Sequence, residues 1–195
     1  MLKIKFFCSF FIALCAVSVF AQQNRTLNWS LGLQNVKTGE LVSFSAPVQC
    51  RTGEQYRLII NPGAECFVYV IYQSSRGNDV GVIFYGNLIN GAAWHSPSLE
   101  LIDPQGTESL FIIVSQTEQR NLTQRISAFN NNSSASRRRA LMNEVFRVRS
   151  NASRYREAPE KPVLMGGVAR GSPEDGEGVE FSGLGTYVKT ISLEH

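Results

Sequence analysis

Histidine and cysteine, from which many enzymes build metal and nucleophile sites, are scarce in this sequence. The 195 residues include two histidines and four cysteines, and His95 is the only histidine away from the chain end. No group of these residues has the ligand spacing of a zinc site, and no Gly-x-Ser-x-Gly nucleophile elbow occurs. We therefore expect no metal, no cofactor and no catalytic activity.

Long hydrophobic runs are also missing, apart from one at the N-terminus. Lys3 and Lys5 precede an apolar run that ends at Phe20, and Val19-Phe20-Ala21 fits the small-x-small rule of signal peptidase. The run is shorter than a comfortable membrane span. The sequence predicts a signal peptide over residues 1–21 and an exported protein with no transmembrane segment after cleavage, located in the periplasm, in the cell envelope or outside the cell.

Two of the four cysteines, Cys8 and Cys15, lie in the predicted leader and are lost with it. Cys50 and Cys66 remain in the mature chain. Two cysteines in an oxidising compartment favour one disulfide bond. The alternative is two separate buried thiols.

Alternation of apolar and polar residues dominates the part of the chain from Asn28 to Gln116, which is typical of half-buried strands. The run from Cys66 to Tyr72 is instead apolar or aromatic throughout, which predicts a strand covered on both faces. Turn signals such as Asn61-Pro62-Gly63 separate the segments. Short strands at regular spacing predict a mainly β protein, a β-sandwich with Ig-like antiparallel sheets.

The hydrophobic period changes to that of a helix after Gln116. Leu122 and Ile126 share one helical face, as do Leu141 and Val145. We predict a helical insertion over about 117–149 that crosses an end of the sandwich before the last strand. Residues of about 150–178 are rich in Gly, Pro, Glu and Ser and predict an exposed acidic loop. A final strand over about 179–193 completes a single domain over 22–195.

Several segments resemble a bacterial family known as domain of unknown function 4384. They are Gly53-Glu54-Gln55-Tyr56-Arg57-Leu58, Phe67-Val68-Tyr69-Val70-Ile71, and Gly77 followed by Val82-Ile83-Phe84. The return strand of the family continues Phe-Pro, whereas this chain has Phe84-Tyr85. The resemblance implies an exported or membrane-associated module of the bacterial envelope and implies no active site.

Charge is unevenly distributed, although the net charge is only +3. Nine arginines and one acid lie between Arg120 and Arg156, and six acids lie between Glu157 and Glu180. This pattern permits mutual neutralisation on a solvated face, or a docking patch for an anionic partner. The candidate contact is the run Arg137, Arg138 and Arg139, although three consecutive arginines fan around a helix. Nucleic acid is not expected, because the protein is exported and no aromatic platform is interleaved with the arginines.

Together these features predict an exported, non-catalytic binding or interaction module of the bacterial cell envelope, whose partner is a protein or another envelope component. It would use loops at one end of the sandwich or an unpaired sheet edge. One alternative is a hydrolase of an envelope polymer that uses His95 with nearby loop carboxylates. A third possibility is a structural subunit of an envelope assembly, docked by strand addition. The sequence defines neither the ligand nor the oligomeric state.

Overall fold

The computed structural model describes residues 26–102, 105–152 and 178–195, together with the backbone of 161–163. The predicted signal peptide and most of the predicted acidic loop lie outside these residues. The described strands are β1 (Leu27–Asn35), β2 (Val48–Gln49), β3 (Gln55–Pro62), β4 (Cys66–Gln73), β5 (Val80–Leu88), β6 (Trp94–His95), β7 (Leu99–Glu100), β8 (Thr107–Ser115), β9 (Lys161–Val163), β10 (Gly178–Gly183) and β11 (Thr186–Glu194). The described helices are α1 (Arg120–Asn131) and α2 (Ala135–Ala152).

The strands form two sheets that pack face to face. Sheet 1 has the order β6–β3–β1–β10–β9, and β7 also pairs with β3. Sheet 2 has the order β2–β11–β8–β4–β5. Pairing is antiparallel except between β2 and β11, which are parallel. The predicted mainly β sandwich of antiparallel sheets is confirmed.

Alternate side chains of each central strand fill the space between the sheets, as the two-residue period of a strand requires. On β8, Leu110, Ile112 and Val114 face sheet 1 and are fully buried. They meet Leu31 and Leu58 of sheet 1 in the same core. The two-residue period thus places apolar side chains between the sheets, and the burial of these side chains stabilises the sandwich.

The two helices form a third layer on the outer face of sheet 2, which corrects the expectation that they cross an end of the sandwich. Phe111 and Ile113 of β8 point away from sheet 1 and pack against the buried faces of both helices. Tyr69 of β4 does the same, and its hydroxyl accepts the backbone N–H of Gln119 at 2.9 Å, just before α1. The reason is that β4 and β8 are apolar on both faces, so the outer face must also be covered. The helices supply buried side chains at helical spacing: Leu122, Ile126, Phe129, Leu141, Met142, Val145 and Val148.

The C-terminal part contains two strands where the sequence predicts one over about 179–193. β10 joins sheet 1 beside β1, whereas β11 joins sheet 2 between β8 and β2. The chain changes sheets at a turn that includes Gly185, whose φ of +84° suits glycine. A short part of the predicted exposed loop is also a strand, because β9 pairs with β10. The rest of that loop, 153–160 and 164–177, lies outside the described residues.

Candidate binding groove

The three consecutive arginines lie in the first turns of α2 and take three different directions. Ser134 precedes the helix, and its hydroxyl accepts the backbone N–H of Arg137 at 3.4 Å, as an N-cap does. The Arg137 guanidinium donates to the carbonyl oxygen of Ala128 in α1 at 2.7 Å. Arg138 donates to the carbonyl oxygen of Asn78 in the β4–β5 turn. Two of the three arginines thus tie α2 to its neighbours.

Arg138 and Arg139 share one wall of a groove of about 380 Å³ between α2 and the β4–β5 turn. The turn, residues 74–79, is fixed by its own hydrogen bonds, including Ser74 N–H to the carbonyl oxygen of Asp79 at 2.9 Å. The apolar lining consists of Val80, Ala135, Met142 and Phe146. Amide side chains of Gln73, Asn78 and Asn143 add polar groups. The groove therefore combines guanidinium donors with an apolar surface and amides.

Among the residues that the structure describes, the lining contains no carboxylate to neutralise the two arginines. Asp79 lies between two lining residues of the turn without lining the groove itself. Across α1 and α2 there are seven arginines and one acid, Glu144. Glu144 is already engaged by Arg147, with contacts of 2.5 and 2.8 Å, and this hydrogen bond raises the pKa of Arg147. The described helical layer therefore has a net charge of +6.

The position of the arginines in α2 opposes the helix dipole. The N-terminal end of a helix carries partial positive charge, so the two cations of the first turn, Arg137 and Arg138, are unfavourable by about 0.3–1 kcal/mol each. No acidic residue occupies the first turn of α2 to offset this. The positive charges at this end of α2 therefore destabilise the helix slightly, and an anion bound in the groove would offset this effect.

His95 lies on the short edge strand β6, paired with Ile59 of β3, and is exposed. The polar side chains next to His95 in the sequence make hydrogen bonds with other residues. Ser96 is buried and its hydroxyl accepts the N–H of Leu58 at 2.9 Å, while Ser98 donates to Gln55 at 3.0 Å. Asp103, a carboxylate close to His95 in the sequence, lies outside the described residues. Among the residues that are described, these groups do not form a nucleophile–base arrangement around His95.

Cys50 and Cys66 are free thiols, which corrects the predicted disulfide. Strands β11 and β8 lie between β2, which Cys50 follows, and β4, which Cys66 begins; three strand spacings are about 14 Å. The register also puts Cys50 beside Glu194, at the end of β11, and Cys66 close to Thr186, where β11 starts. A disulfide requires Cα atoms within about 7 Å. The two thiols are therefore at opposite ends of sheet 2.

A group of titratable side chains that was not predicted from the sequence lies at one end of the space between the sheets. Glu108 of β8 is only 5% exposed and is hydrogen-bonded to Tyr72. The side chain of His195 is buried beside it, with 3.5 Å between His195 Nε2 and Glu108 Oε1. The sequence of β8 indicates this inward position of Glu108. Glu108 lies two residues before Leu110 and four before Ile112, so its side chain is on the same inner face of the strand.

A second pair of polar side chains lies at this end, formed by Tyr56 and Cys50. Tyr56 donates to Glu54 at 2.8 Å, and the Cys50 thiol donates to the carbonyl oxygen of Val48 at 3.4 Å. Burial raises the pKa of both Tyr56 and Cys50. A thiol with a raised pKa is a poor nucleophile, so Cys50 has the character of a structural thiol. Within the described chain, no three His, Cys, Asp or Glu side chains are arranged to hold a metal ion.

Comparison with protein-family models, curated proteins and solved structures found no match to this chain. The resemblance to domain of unknown function 4384 therefore stays a prediction. Neither α1 nor α2, the helices in the described residues, is both long and apolar enough to cross a membrane. The groove and its surroundings are therefore the features of the molecule that bear on its function.

Proposed function

We propose that the protein is an exported, non-catalytic binding module that recognises an anionic group of a protein or another component of the cell envelope. The observation that carries this proposal is the groove at Arg138 and Arg139, which has guanidinium donors, an apolar lining and, within the described part of the chain, no carboxylate. Guanidinium groups bind carboxylates and phosphates through paired, charge-assisted hydrogen bonds.

The roles of the two arginines in this binding differ. Arg138 already donates to the Asn78 carbonyl oxygen and so holds the β4–β5 turn against α2. Arg139 is exposed and lines the groove. We therefore assign to Arg139 the direct contact with the anion and to Arg138 the support of the wall.

The test measures binding of residues 22–195 to three anionic probes, namely polyglutamate, phosphatidylglycerol vesicles and dextran sulfate, with neutral phosphatidylcholine vesicles as a reference. We expect at least one anionic probe to bind, and binding to weaken as salt rises and screens the charges. Arg139→Glu should weaken it about tenfold, which corresponds to about 1.4 kcal/mol.

Arg149→Glu is the matched control. Arg149 is exposed on the same helix and ten residues further along, about 15 Å away at 1.5 Å per residue. The Arg149→Glu substitution changes the net charge by the same amount as Arg139→Glu and leaves the groove intact. Equal loss in the two variants, or no binding of any anionic probe, would contradict a specific groove.

A further inference from the structure

The outer edge of β5 differs from the other sheet edges of the described structure. Natural sheets protect their edges with short strands, proline, charge or β-bulges. The other edges here are the two-residue strands β2, β6 and β7, and the three-residue β9, which contains Pro162. β5 has nine residues, Val80–Leu88, with no proline and no charged side chain, and its protection is limited to one register shift against β4, at Ile83.

The backbone groups on this edge are open in the described part of the chain. β5 pairs with β4 alone, and no backbone hydrogen bond joins the other edge of β5 to a described residue. The strand is nonetheless held in place, since Val80 and Leu88 at its two ends are buried. The Phe84 ring lies 4.7 Å from the Trp94 ring of sheet 1. β5 is therefore a fixed template about 30 Å long at 3.4 Å per residue.

The edge leads directly into the arginine groove, because Val80, the first residue of β5, also lines that groove. A strand added antiparallel to β5 would begin beside Leu88 and end beside Val80. Its carboxyl end would then reach Arg138 and Arg139. The open edge and the groove are thus parts of one continuous surface.

We propose that this surface binds the extended C-terminal segment of a partner protein, which adds as an antiparallel strand to β5 and places its terminal carboxylate in the groove. Main-chain hydrogen bonds along an edge supply affinity in such complexes, and pockets at the end supply specificity. Tyr85, in register with Tyr69 and 40% exposed, offers an aromatic surface to the added strand. This inference rests on the proposed function and names the partner of the same groove.

A second copy of this chain fits the edge less well. Antiparallel pairing of two β5 strands is isologous, with the two-fold axis perpendicular to the sheet. Both helical layers would then lie on the same face of the joined sheet, each with seven arginines and one glutamate. Like charges brought together in this way oppose pairing. A peptide that ends in a carboxylate instead complements the groove.

The experiment selects nine-residue peptides with free C-termini from a random displayed library on residues 22–195. Selected sequences are then synthesised with a free carboxylate or as the amide, and with N-methyl groups at either the odd or the even positions. N-methylation removes the N–H donor, and alternate N–H groups of a strand face opposite edges. Each pair of N-methylated peptides is therefore its own matched control.

We expect the amide to bind at least tenfold more weakly than the carboxylate, and only one of the two N-methylated series to lose binding. Arg139→Glu should reduce binding as much as the amide does. No selected peptide, equal binding of both N-methylated series, or a monomer–dimer equilibrium that occupies β5 would overturn the inference. If polyglutamate or vesicles still bind through Arg139 while peptides fail, the proposed function stands and this inference does not.

Discussion

Two neighbouring isoleucines on β8 provide a stringent test of the three-layer arrangement. Ile112 faces sheet 1 and Ile113 faces the helices, and both are fully buried. Ile113→Ala and Ile112→Ala delete the same atoms from the same strand. We expect both variants to destabilise the protein by similar amounts, because the helical layer covers the outer face of sheet 2 as sheet 1 covers the inner face.

The expected magnitude follows from the removed carbons. Replacing isoleucine by alanine removes about three carbon atoms, worth roughly 0.8 kcal/mol each in transfer free energy. The cavity that remains adds to this loss, so the free energy of unfolding should fall by about 2–5 kcal/mol in each variant. An isoleucine on a solvated sheet face would change it by only about 0.5 kcal/mol.

Urea unfolding of residues 22–195, followed by tryptophan fluorescence, measures both values. Trp29 is buried between the sheets and reports on loss of the core. The slope of the transition must stay constant for the comparison to hold. A cost of 2 kcal/mol or more for Ile112→Ala with no measurable cost for Ile113→Ala would refute the third layer.

Three further predictions concern the two thiols, Arg139 and the partly buried Tyr72. Thiol titration of the unreduced protein in denaturant should find both Cys50 and Cys66; in the native state Cys66 should react slowly, because burial raises its pKa to about 11. Absence of titratable thiols would mean that the disulfide forms after all. Arg139→Glu should change the free energy of unfolding by no more than about 0.5 kcal/mol, because Arg139 is exposed and lies just beyond the first turn of α2; a clear loss would show that Arg139 has a structural role. Burial and the hydrogen bond to Glu108 raise the pKa of Tyr72 above its ordinary value of 10.0, which means that the folded state favours the neutral phenol. The contribution of the neutral Tyr72 to stability is therefore complete below pH 10 and is lost as pH rises further. Thermal unfolding between pH 9 and 11 should therefore show a shallower decline in Tyr72→Phe than in the wild type, and identical slopes would contradict this account.

The strands and helices could be predicted because local periodicity determines them. Leu31 and Leu33 alternate with polar residues, and Leu122 and Ile126 have helical spacing. The secondary structure of each segment can therefore be predicted from that segment alone. The position of the helices was predicted wrongly. The sequence showed that β4 would be covered on both faces, but it did not show that α1 and α2 supply the outer cover.

The candidate site depends on contacts between segments that are distant in the chain. Arg139 was part of a predicted patch, but the groove exists only because Asn78 and Val80 meet α2 across about 60 residues of chain. The disulfide prediction failed for a related reason. Proximity of Cys50 and Cys66 in the sequence says nothing about the two strands that the topology inserts between β2 and β4.

Hydrogen exchange with and without a selected C-terminal peptide tests the central claim most directly, namely that the β5 edge and the arginine groove form one binding surface. Bound peptide should slow exchange of the amides of Val80–Leu88 that face away from β4, and binding should be lost in Arg139→Glu and kept in Arg149→Glu. Unchanged exchange in β5, with protection at another edge such as β6 beside His95, would contradict the account.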